Sequence, residues 1–393
     1  MIPRTVLAGA VVANLGALCW FLLSFRHGTP STYVYRADLD VYRLGADAWL
    51  RGRDLYGVLP DLRIGTNMPF TYPPIAAVLF TPLAAVSFTV ASSALGVVTI
   101  ALVAVVLVVS LRALAVRQAW VVAGVLLPVA LVTEPVRTTL YYGQVNVVLM
   151  ALVVLDCLVR SPRWPRGLLV GMAAAVKLTP AVFVLYFLLR GDRRAAAVAA
   201  ASFAGATGLG FLLAGRDSVR YWTSVVFDSD RIGGATRAAN QSIKGLLARL
   251  GVESTVVWVV LCAALGCLTV VAMRRAIATG QPMWALCLNA LGTLPLAPVS
   301  WSHHWVWCVP VLLTVGVHAW RTRTTTSVAI GALLLFTLSP HWWWDPHHEW
   351  DTWRLVTGNL YVCFAVLVLV GFVRQRPTVP LPRSAKSASA AAN

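Results

Sequence analysis

The stretch RADLDVYRLG, residues 36–45, carries two carboxylates two positions apart between two arginines. In a helix, Asp38 and Tyr42 share one face and Asp40 and Arg43 share another, so one acid can pair with a base while the other points into a cavity. A carboxylate beside a substrate hydroxyl can act as a general base, which is worth roughly 10² to 10⁴ in rate. Neighbouring arginines favour its ionised form. The alternative is a hydrated loop helix without a catalytic role.

Lys177, in KLTP, lies at a break between two apolar half-spans. A buried cation there costs about 2.5 to 3.5 kcal/mol on insertion scales, so it should have an anionic partner. Binding of a phosphate or phosphodiester would supply one, and snorkelling to the membrane interface is the alternative. His303 and His304, in SPVSWSHHW, can bind a phosphate oxygen or a hydroxyl, or pack among tryptophans. Adjacent histidines point about 100° apart on a helix, which does not favour a zinc site.

Two pairs of uncharged amides lie at predicted junctions between loops and helices. Gln144 and Asn146 belong to YYGQVN, and Asn240 and Gln241 belong to AANQS. Amides suit sugar hydroxyls because each offers a donor and an acceptor, although all four could equally be helix caps. The segment HWWWDPHHEWDTW, residues 341–353, is typical of an interfacial aromatic belt, and its rings could also stack on sugars.

The elements that position these residues are apolar. Of the 393 residues, 59% are hydrophobic and 12% are charged, and the mean hydropathy is +0.75. This composition predicts an all-α, multi-pass integral membrane protein. The seven cysteines lie in or at the ends of apolar runs and form no CxxC pair, so we interpret them as packing thiols rather than disulfides or metal ligands.

Apolar runs predict about twelve transmembrane helices, since a crossing helix needs roughly 20 apolar residues and fewer beside a cavity. The first run, 6–25, is interpreted as an uncleaved anchor. The short, Pro-interrupted run 73–88 is predicted to be a re-entrant or interfacial helix on the outer face. The predicted spans are 6–25, 91–111, 119–133, 145–159, 167–177, 179–189, 195–214, 254–273, 283–299, 304–319, 326–340 and 355–373.

Arginines in the joints between these spans predict the orientation. With both termini cytoplasmic, the inner side receives 17 of the 32 Lys and Arg residues and two of the 15 acids. This pattern follows the positive-inside rule, so the net charge of +17 needs no nucleic-acid partner. The polar clusters all fall on the outer side of the plasma membrane. A transporter or flippase would instead place polar groups along a two-sided path.

Six motifs, taken in chain order, resemble the landmarks of glycosyltransferase family 87. They are DLDVY, PFTYPP, YYGQVN, KLTP, NQS and SPVSWSHHW, and they extend from about Asp38 to Trp305. The resemblance implies a GT-C fold and an enzyme that uses polyprenyl-phosphate mannose. The apolar runs themselves predict a single transmembrane catalytic domain, residues 1–376, and the Ala- and Ser-rich end predicts a disordered cytoplasmic tail, 377–393. We expect the enzyme to be a monomer. Actinobacterial members include α-1,2-mannosyltransferases of phosphatidylinositol mannosides and lipoarabinomannan.

The resemblance also assigns roles to individual residues. It implies that Asp38 is the catalytic base, and it makes Asp40 an additional carboxylate. It implies an inverting reaction in which Lys177, His303 and His304 hold the phosphate of the donor. No metal or other cofactor is expected, although D-L-D at positions 38–40 mimics an Asp-x-Asp metal motif.

The implied partners are a polyprenyl-phosphate sugar donor, a glycolipid or lipoglycan acceptor, and membrane lipids. The residues predicted to contact these substrates are Asp40, Tyr72, Gln144, Asn146, Asn240, Gln241 and Trp301. Transfer of another sugar, such as arabinofuranose, is an alternative, because the identity of the sugar depends on the shape of the pocket.

Overall fold

The structure is a computed structural model that describes residues 35–323, 325–344 and 350–374, together with Val12, Leu15 and Gly16. These ranges are helical, and one isolated antiparallel β-bridge joins Asn240 to Trp301. The predicted tail lies outside the described residues, as do the predicted first span, apart from those three positions, and His347 and His348 of the aromatic segment.

Helices of the first half alternate between long apolar rods and short pieces. They are α1 (Ala37–Leu50), α2 (Pro74–Leu79), α3 (Thr81–Ala84), α4 (Phe88–Ala113), α5 (Ala119–Val132), α6 (Glu134–Tyr142), α7 (Asn146–Leu158), α8 (Leu168–Val176) and α9 (Val184–Leu189). A 3-10 turn, Thr179–Phe183, connects α8 to α9.

The second half continues in the same manner. Its helices are α10 (Arg193–Leu213), α11 (Gly215–Thr223), α12 (Ile243–Arg249), α13 (Thr255–Ala278), α14 (Pro282–Thr293), α15 (Cys308–Thr322), α16 (Thr326–Leu338), α17 (Thr352–Gly358) and α18 (Leu360–Arg374). Further 3-10 turns are Val225–Phe227, Ser229–Ile232, Leu294–Leu296, Ser302–Trp307 and Pro340–Trp343.

Fewer helices than predicted are long enough to cross a bilayer. In the described ranges α4, α10 and α13 meet that length and composition, and two bent pairs would raise the total to five. The pair α5–α6 bends by 71° and the pair α17–α18 by 64°. The predicted count of twelve is therefore not confirmed, and the run 73–88 forms the two short helices α2 and α3.

Helix α8, one of the short helices, packs closely against its neighbour. Helix α8 packs against α10, and a Cβ atom at Gly171 would lie 2.3 Å from the Ala199 carbonyl oxygen. Only glycine permits the two backbones to approach this closely. The six described cysteines are free thiols, as predicted from their apolar surroundings.

A buried carboxylate joins α7 to the start of α8. Asp156 is fully buried and accepts hydrogen bonds from the backbone N–H groups of Gly167 at 3.0 Å and Val170 at 2.9 Å. Trp164 Nε1 donates a third bond at 3.1 Å. These bonds satisfy N–H groups that a helix start leaves without intrahelical partners, and they fix α8 beside α7.

Candidate active site

Asp38 lies at the start of α1, half-buried, and meets residues from three other parts of the chain. The Gln144 side chain hydrogen-bonds to it. The Gln144 Oε1 atom accepts bonds from the hydroxyls of Tyr42 at 2.9 Å and Tyr72 at 3.1 Å, so its amide nitrogen is the donor to Asp38. The two hydroxyls lie 2.9 Å apart. This network fixes the orientation of the carboxylate.

The turn between α6 and α7 delivers Gln144 to this position. Gly143 ends α6 with φ +70°, in the left-handed region that favours glycine. A Cβ atom there would lie 2.9 Å from Leu39 Cβ and 3.0 Å from Arg36 Cβ. The missing side chain therefore lets the turn pack directly on the start of α1.

The electrostatic surroundings of Asp38 suit a base that works near neutral pH. Burial raises the pKa of this carboxyl to about 6, against the opposing effects of the Gln144 hydrogen bond and the nearby Lys177. Asp38 is consequently ionised at pH 7 but close enough to its pKa to exchange a proton readily.

Lys177 points at the same space from the end of α8. The helix stops there because Lys177 is extended, at φ −149° and ψ 130°, and a Pro-containing 3-10 turn follows. Its Nζ atom lies 3.2 Å from Asn146 Oδ1 and 3.2 Å from His304 Nε2. It also lies 5.3 Å from the centre of the Tyr72 ring. The predicted cation is thus in place.

His303 and His304 lie in the 3-10 turn Ser302–Trp307, which we call the histidine segment. The His303 carbonyl oxygen accepts bonds from Thr139 Oγ1 at 3.1 Å and Asn146 Nδ2 at 3.0 Å. Burial first, and then the nearby Lys177, lower the pKa of His303 to about 3, so this imidazole is neutral. A neutral imidazole can offer a phosphate one hydrogen bond but no charge.

The other predicted carboxylate belongs to a different environment. Asp40 is buried, accepts a hydrogen bond from the Tyr35 hydroxyl and lies 4.0 Å from Arg63 Nε. Asp38 instead meets Gln144, so the two acids of D-L-D do not share partners. This geometry does not support the predicted contact of Asp40 with substrate.

The side chains of Asn240 and Gln241 bind backbone groups just before the histidine segment and at the end of α17. Asn240 Oδ1 accepts from the Ser300 N–H at 2.9 Å, and Gln241 Nε2 donates to the Gly358 carbonyl at 2.6 Å. Both residues are fully buried. Their amides are therefore occupied, while Trp301, half-buried, packs its ring on Gly233. Sugar binding by these three residues stays a prediction.

Glu134 is a residue of this region that the sequence reasoning missed. Its fully buried Oε1 atom accepts bonds from Thr138 Oγ1 at 2.9 Å, Ser302 Oγ at 2.7 Å and Trp342 Nε1 at 2.8 Å. The Tyr361 hydroxyl donates to Oε2 at 3.0 Å. The only signal in the sequence was an acid at the start of an otherwise uncharged turn, TEPV.

Glu134 also connects the histidine segment to part of the aromatic segment. His341 Nε2 lies 4.0 Å from Glu134 Oε1, while Trp342 is 48% exposed. Asp345 and Glu349, two acids of the same segment 341–353, lie outside the described residues.

The assembled site pairs a half-buried base with a cation. Asp38 and Lys177 lie close enough for their charges to act on each other, Gln144 hydrogen-bonds to Asp38, and Asn146 and His304 lie beside Lys177. Such a site can deprotonate a hydroxyl while stabilising an anionic leaving group. No group of three or more His, Cys, Asp or Glu side chains within the described ranges could hold a metal ion.

Comparison with known proteins gives matches along most of the chain. The sequence model of glycosyltransferase family 87 matches residues 70–299. No solved structure matches.

Two curated relatives carry the name polyprenol-phosphate-mannose-dependent alpha-(1-2)-phosphatidylinositol mannoside mannosyltransferase. The one from Mycobacterium tuberculosis is 43% identical over 91% of this chain and 87% of its own length. The one from Mycolicibacterium smegmatis is 44% identical over 88% and 85%. A second M. smegmatis relative, named as a phosphatidylinositol pentamannoside mannosyltransferase with the same donor and linkage, is 37% identical over 92% and 89%.

Proposed function

Because this chain belongs to glycosyltransferase family 87, we propose that it transfers mannose from a polyprenyl phosphate to a phosphatidylinositol mannoside in the membrane. The observation that carries the proposal is the closeness of the Asp38 carboxylate and the Lys177 ammonium, whose charges act on each other. A base for the acceptor and a cation for the donor phosphate are the two charges that this transfer requires.

The reaction proceeds in one displacement. Asp38 accepts the proton of the acceptor hydroxyl as its oxygen attacks the anomeric carbon of the mannosyl phosphate. The bond between that carbon and the phosphate oxygen breaks, and its electrons leave with the polyprenyl phosphate. Attack opposite the leaving group converts a β-linked donor into an α-linked product, so no covalent intermediate on the enzyme is needed.

The leaving phosphate receives its support from Lys177 and the histidine segment. The Nζ atom of Lys177 is held by Asn146 and His304, each 3.2 Å away, which keeps the ammonium directed into the site. The neutral His303 adds a hydrogen bond, and the amides beside Asp38 orient the sugars. A fixed cation stabilises the charge that develops on the leaving oxygen.

Finer features extend the proposal. The linkage formed is α-1,2, the active site faces the outer side of the plasma membrane, and both termini are cytoplasmic. Residues 1–376 form one catalytic unit that acts as a monomer and without a metal ion.

The first experiment compares purified Asp38→Asn with its matched neighbour Asp40→Asn. With polyprenyl-phosphate mannose and a short phosphatidylinositol mannoside, Asp38→Asn should lose roughly 10² to 10⁴ in rate, because it removes the base but keeps the shape. Asp40→Asn should stay within a few-fold of the parent, because its carboxylate contacts Tyr35 and Arg63.

Two further assays test the independence from metal ions and the identity of the sugar. Mannolipid formation should persist in EDTA, and polyprenyl-phosphate arabinofuranose should give no product. Equal loss in both variants would reject Asp38 as the base, loss with EDTA would indicate a metal ion, and arabinolipid formation would change the sugar assigned.

A further inference from the structure

Several helices that carry active-site residues have their other ends close together, on the side away from the site. Helix α7 runs from Asn146 at the site to Leu158, and α8 runs from Leu168 to Lys177 in the reverse direction. The next pair, the 3-10 turn and α9, leads from Lys177 to Arg190. Thirteen helical residues of α7 place this second end about 20 Å from the site.

A cavity of about 330 Å³ lies at that second end. Three arginines line it: Arg160 follows α7, Arg166 precedes α8 and Arg190 follows α9. We call it the arginine cavity. Its walls also include Leu158 and Phe187. Apolar walls around a charged cleft strengthen its field toward an anion.

The charges around the arginine cavity do not cancel. Its only lining acid is Asp192, and that carboxylate accepts a hydrogen bond from the Ala195 N–H at 3.0 Å as the cap of α10. Three guanidinium groups therefore face one carboxylate that already serves a helix start. The cavity carries a formal excess of two positive charges.

Two of the arginines are held in place by the fold. Arg166 donates to the carbonyl oxygens of Asp156 at 2.6 Å and Val159 at 2.7 Å. Arg190 donates to the Tyr186 hydroxyl at 2.5 Å and lies 5.1 Å from the centre of that ring. Arg160 is exposed. Arg166 also donates to the carbonyl oxygens of Cys157 at 3.4 Å and Arg160 at 3.3 Å, so its terminal N–H groups are occupied and it fixes the wall of the cavity. The N–H donors for the oxygens of a phosphate are therefore those of Arg160 and Arg190.

We propose that the arginine cavity binds the phosphate of an anionic phospholipid, at the membrane face opposite the active site. Leu188, beside Arg190, is 52% exposed and offers an apolar surface to acyl chains. A neighbouring cavity of about 280 Å³ shares Arg166 and Asp192, which leaves room for a large headgroup. If these arginines served only to orient the protein in the membrane, they would need to lie at this face, but they would not need to line a common cavity.

Native mass spectrometry of the purified full-length protein tests this site. With equal phosphatidylglycerol and phosphatidylcholine, the parent should retain one phosphatidylglycerol preferentially. The double variant Arg160→Gln/Arg190→Gln should weaken that binding roughly tenfold or more, given the contribution of each arginine near a membrane surface. The matched control is Arg274→Gln/Arg323→Gln, which removes two exposed arginines from other joints.

The outcomes separate a built site from diffuse attraction. Selective loss in the cavity variant, with mannosyl transfer retained as proof of folding, supports the proposal. An equal loss in the control variant, or no preference for phosphatidylglycerol, overturns it. Displacement of the lipid by millimolar inorganic phosphate would overturn the lipid assignment and make the cavity a site for the free ion.

Discussion

Asp38 and Asp40 lie two positions apart on α1, where about 200° of helix rotation separates their side chains. That rotation sends Asp38 toward Gln144 and Asp40 toward Tyr35 and Arg63. The two carboxylates therefore have different partners although they belong to one motif. At the residue scale, orientation rather than residue type separates the proposed base from its neighbour.

The raised pKa of Asp38 predicts an acid limb in the pH profile. The base must be ionised, and its pKa of about 6 means that the ionised fraction falls as the pH drops through this value. We expect kcat/KM to be constant above about pH 7 and to fall about tenfold per pH unit well below pH 6. A pH profile of kcat/KM, measured with both the donor and the acceptor in a series of buffers, checks this prediction. Activity that stays constant down to pH 5 would contradict the assignment.

Replacing Lys177 should move that limb. Lys177 lowers the pKa of Asp38, so Lys177→Met should shift the limb to higher pH. It should also reduce kcat/KM roughly tenfold to a hundredfold, since a charge-assisted bond to the donor phosphate is lost. Lys244→Met is the control, because that lysine lies near Trp258 and away from the site. A limb that moves to lower pH would reverse the sign assigned to the Lys177 charge.

Helices position these residues mainly because the helices end at the site. Helix α8 ends at Lys177 and α6 ends at Gly143, and each ending exposes a polar group to the site. Close contacts at glycines hold these elements against their neighbours, Gly171 of α8 against α10 and Gly143 of the α6–α7 turn against α1. Rigid short helices hold catalytic groups more accurately than long loops do.

Gly171 tests the contact between α8 and α10. We expect Gly171→Ala to lower stability by about 1 to 3 kcal/mol, because the new methyl group meets the Ala199 carbonyl at 2.3 Å. Gly205→Ala, on α10 with open space around it, should instead be neutral or stabilising by up to about 1 kcal/mol. Thermal unfolding in detergent measures both. Equal effects would show that the two helices do not pack as closely as described.

A substitution of Glu134 tests whether the hydrogen bonds of this carboxylate hold the histidine segment in place. Glu134→Gln replaces one acceptor oxygen by a donor, so either the Tyr361 hydroxyl or the donors to Oε1 lose Glu134 as an acceptor. We expect the segment that carries His303 to shift in response. We expect lower thermal stability and a several-fold higher KM for the donor, since an unsatisfied buried group costs about 1 to 3 kcal/mol. Steady-state kinetics and thermal unfolding provide the two readouts.

The matched control for Glu134 is Asp156→Asn. Asp156 is equally buried, but it binds Gly167 and Val170 at the far end of α7 and α8. This variant should lose stability with an unchanged KM. A similar rise in KM in both variants would assign the effect of Glu134 to general loosening of the fold.

Sequence patterns predicted the contents of the site better than its geometry. Asp38, Gln144, Asn146, Lys177 and the histidine pair lie in motifs and meet in the structure. Glu134 escaped notice because its role depends on donors 168 to 227 positions away, which no local pattern contains. Hydropathy also predicted the span 355–373 across the bend of 64° between α17 and α18, because a bend leaves the apolar composition of the run unchanged.

At the scale of the whole molecule, the two ends of the short helices differ in chemistry. One end gathers Asp38, Lys177 and the histidine segment, and the other gathers arginines that line a cavity. The orientation predicted from the joints, in which arginine-rich ends face the cytoplasm, stays a prediction.

Cysteine labelling in intact cells tests that orientation. In a variant whose native cysteines are replaced by alanine, Gly234→Cys should react with a membrane-impermeant maleimide, since it lies in an exposed loop predicted to be outside. Arg163→Cys, exposed in a joint predicted to be inside, should react only after the membrane is permeabilised. The reverse pattern would invert the topology and place the active site in the cytoplasm.

The length of α7 has a consequence for how the protein fits a bilayer. Its thirteen residues span about 20 Å, while the hydrocarbon core of a typical membrane is about 30 Å thick. Every residue of this helix is buried or half-buried, so other parts of the protein, rather than lipid, surround it. Because protein encloses α7, its shortness does not force the bilayer to thin. The missing length instead leaves room for the polar residues at the ends of the helix to lie below the membrane surface.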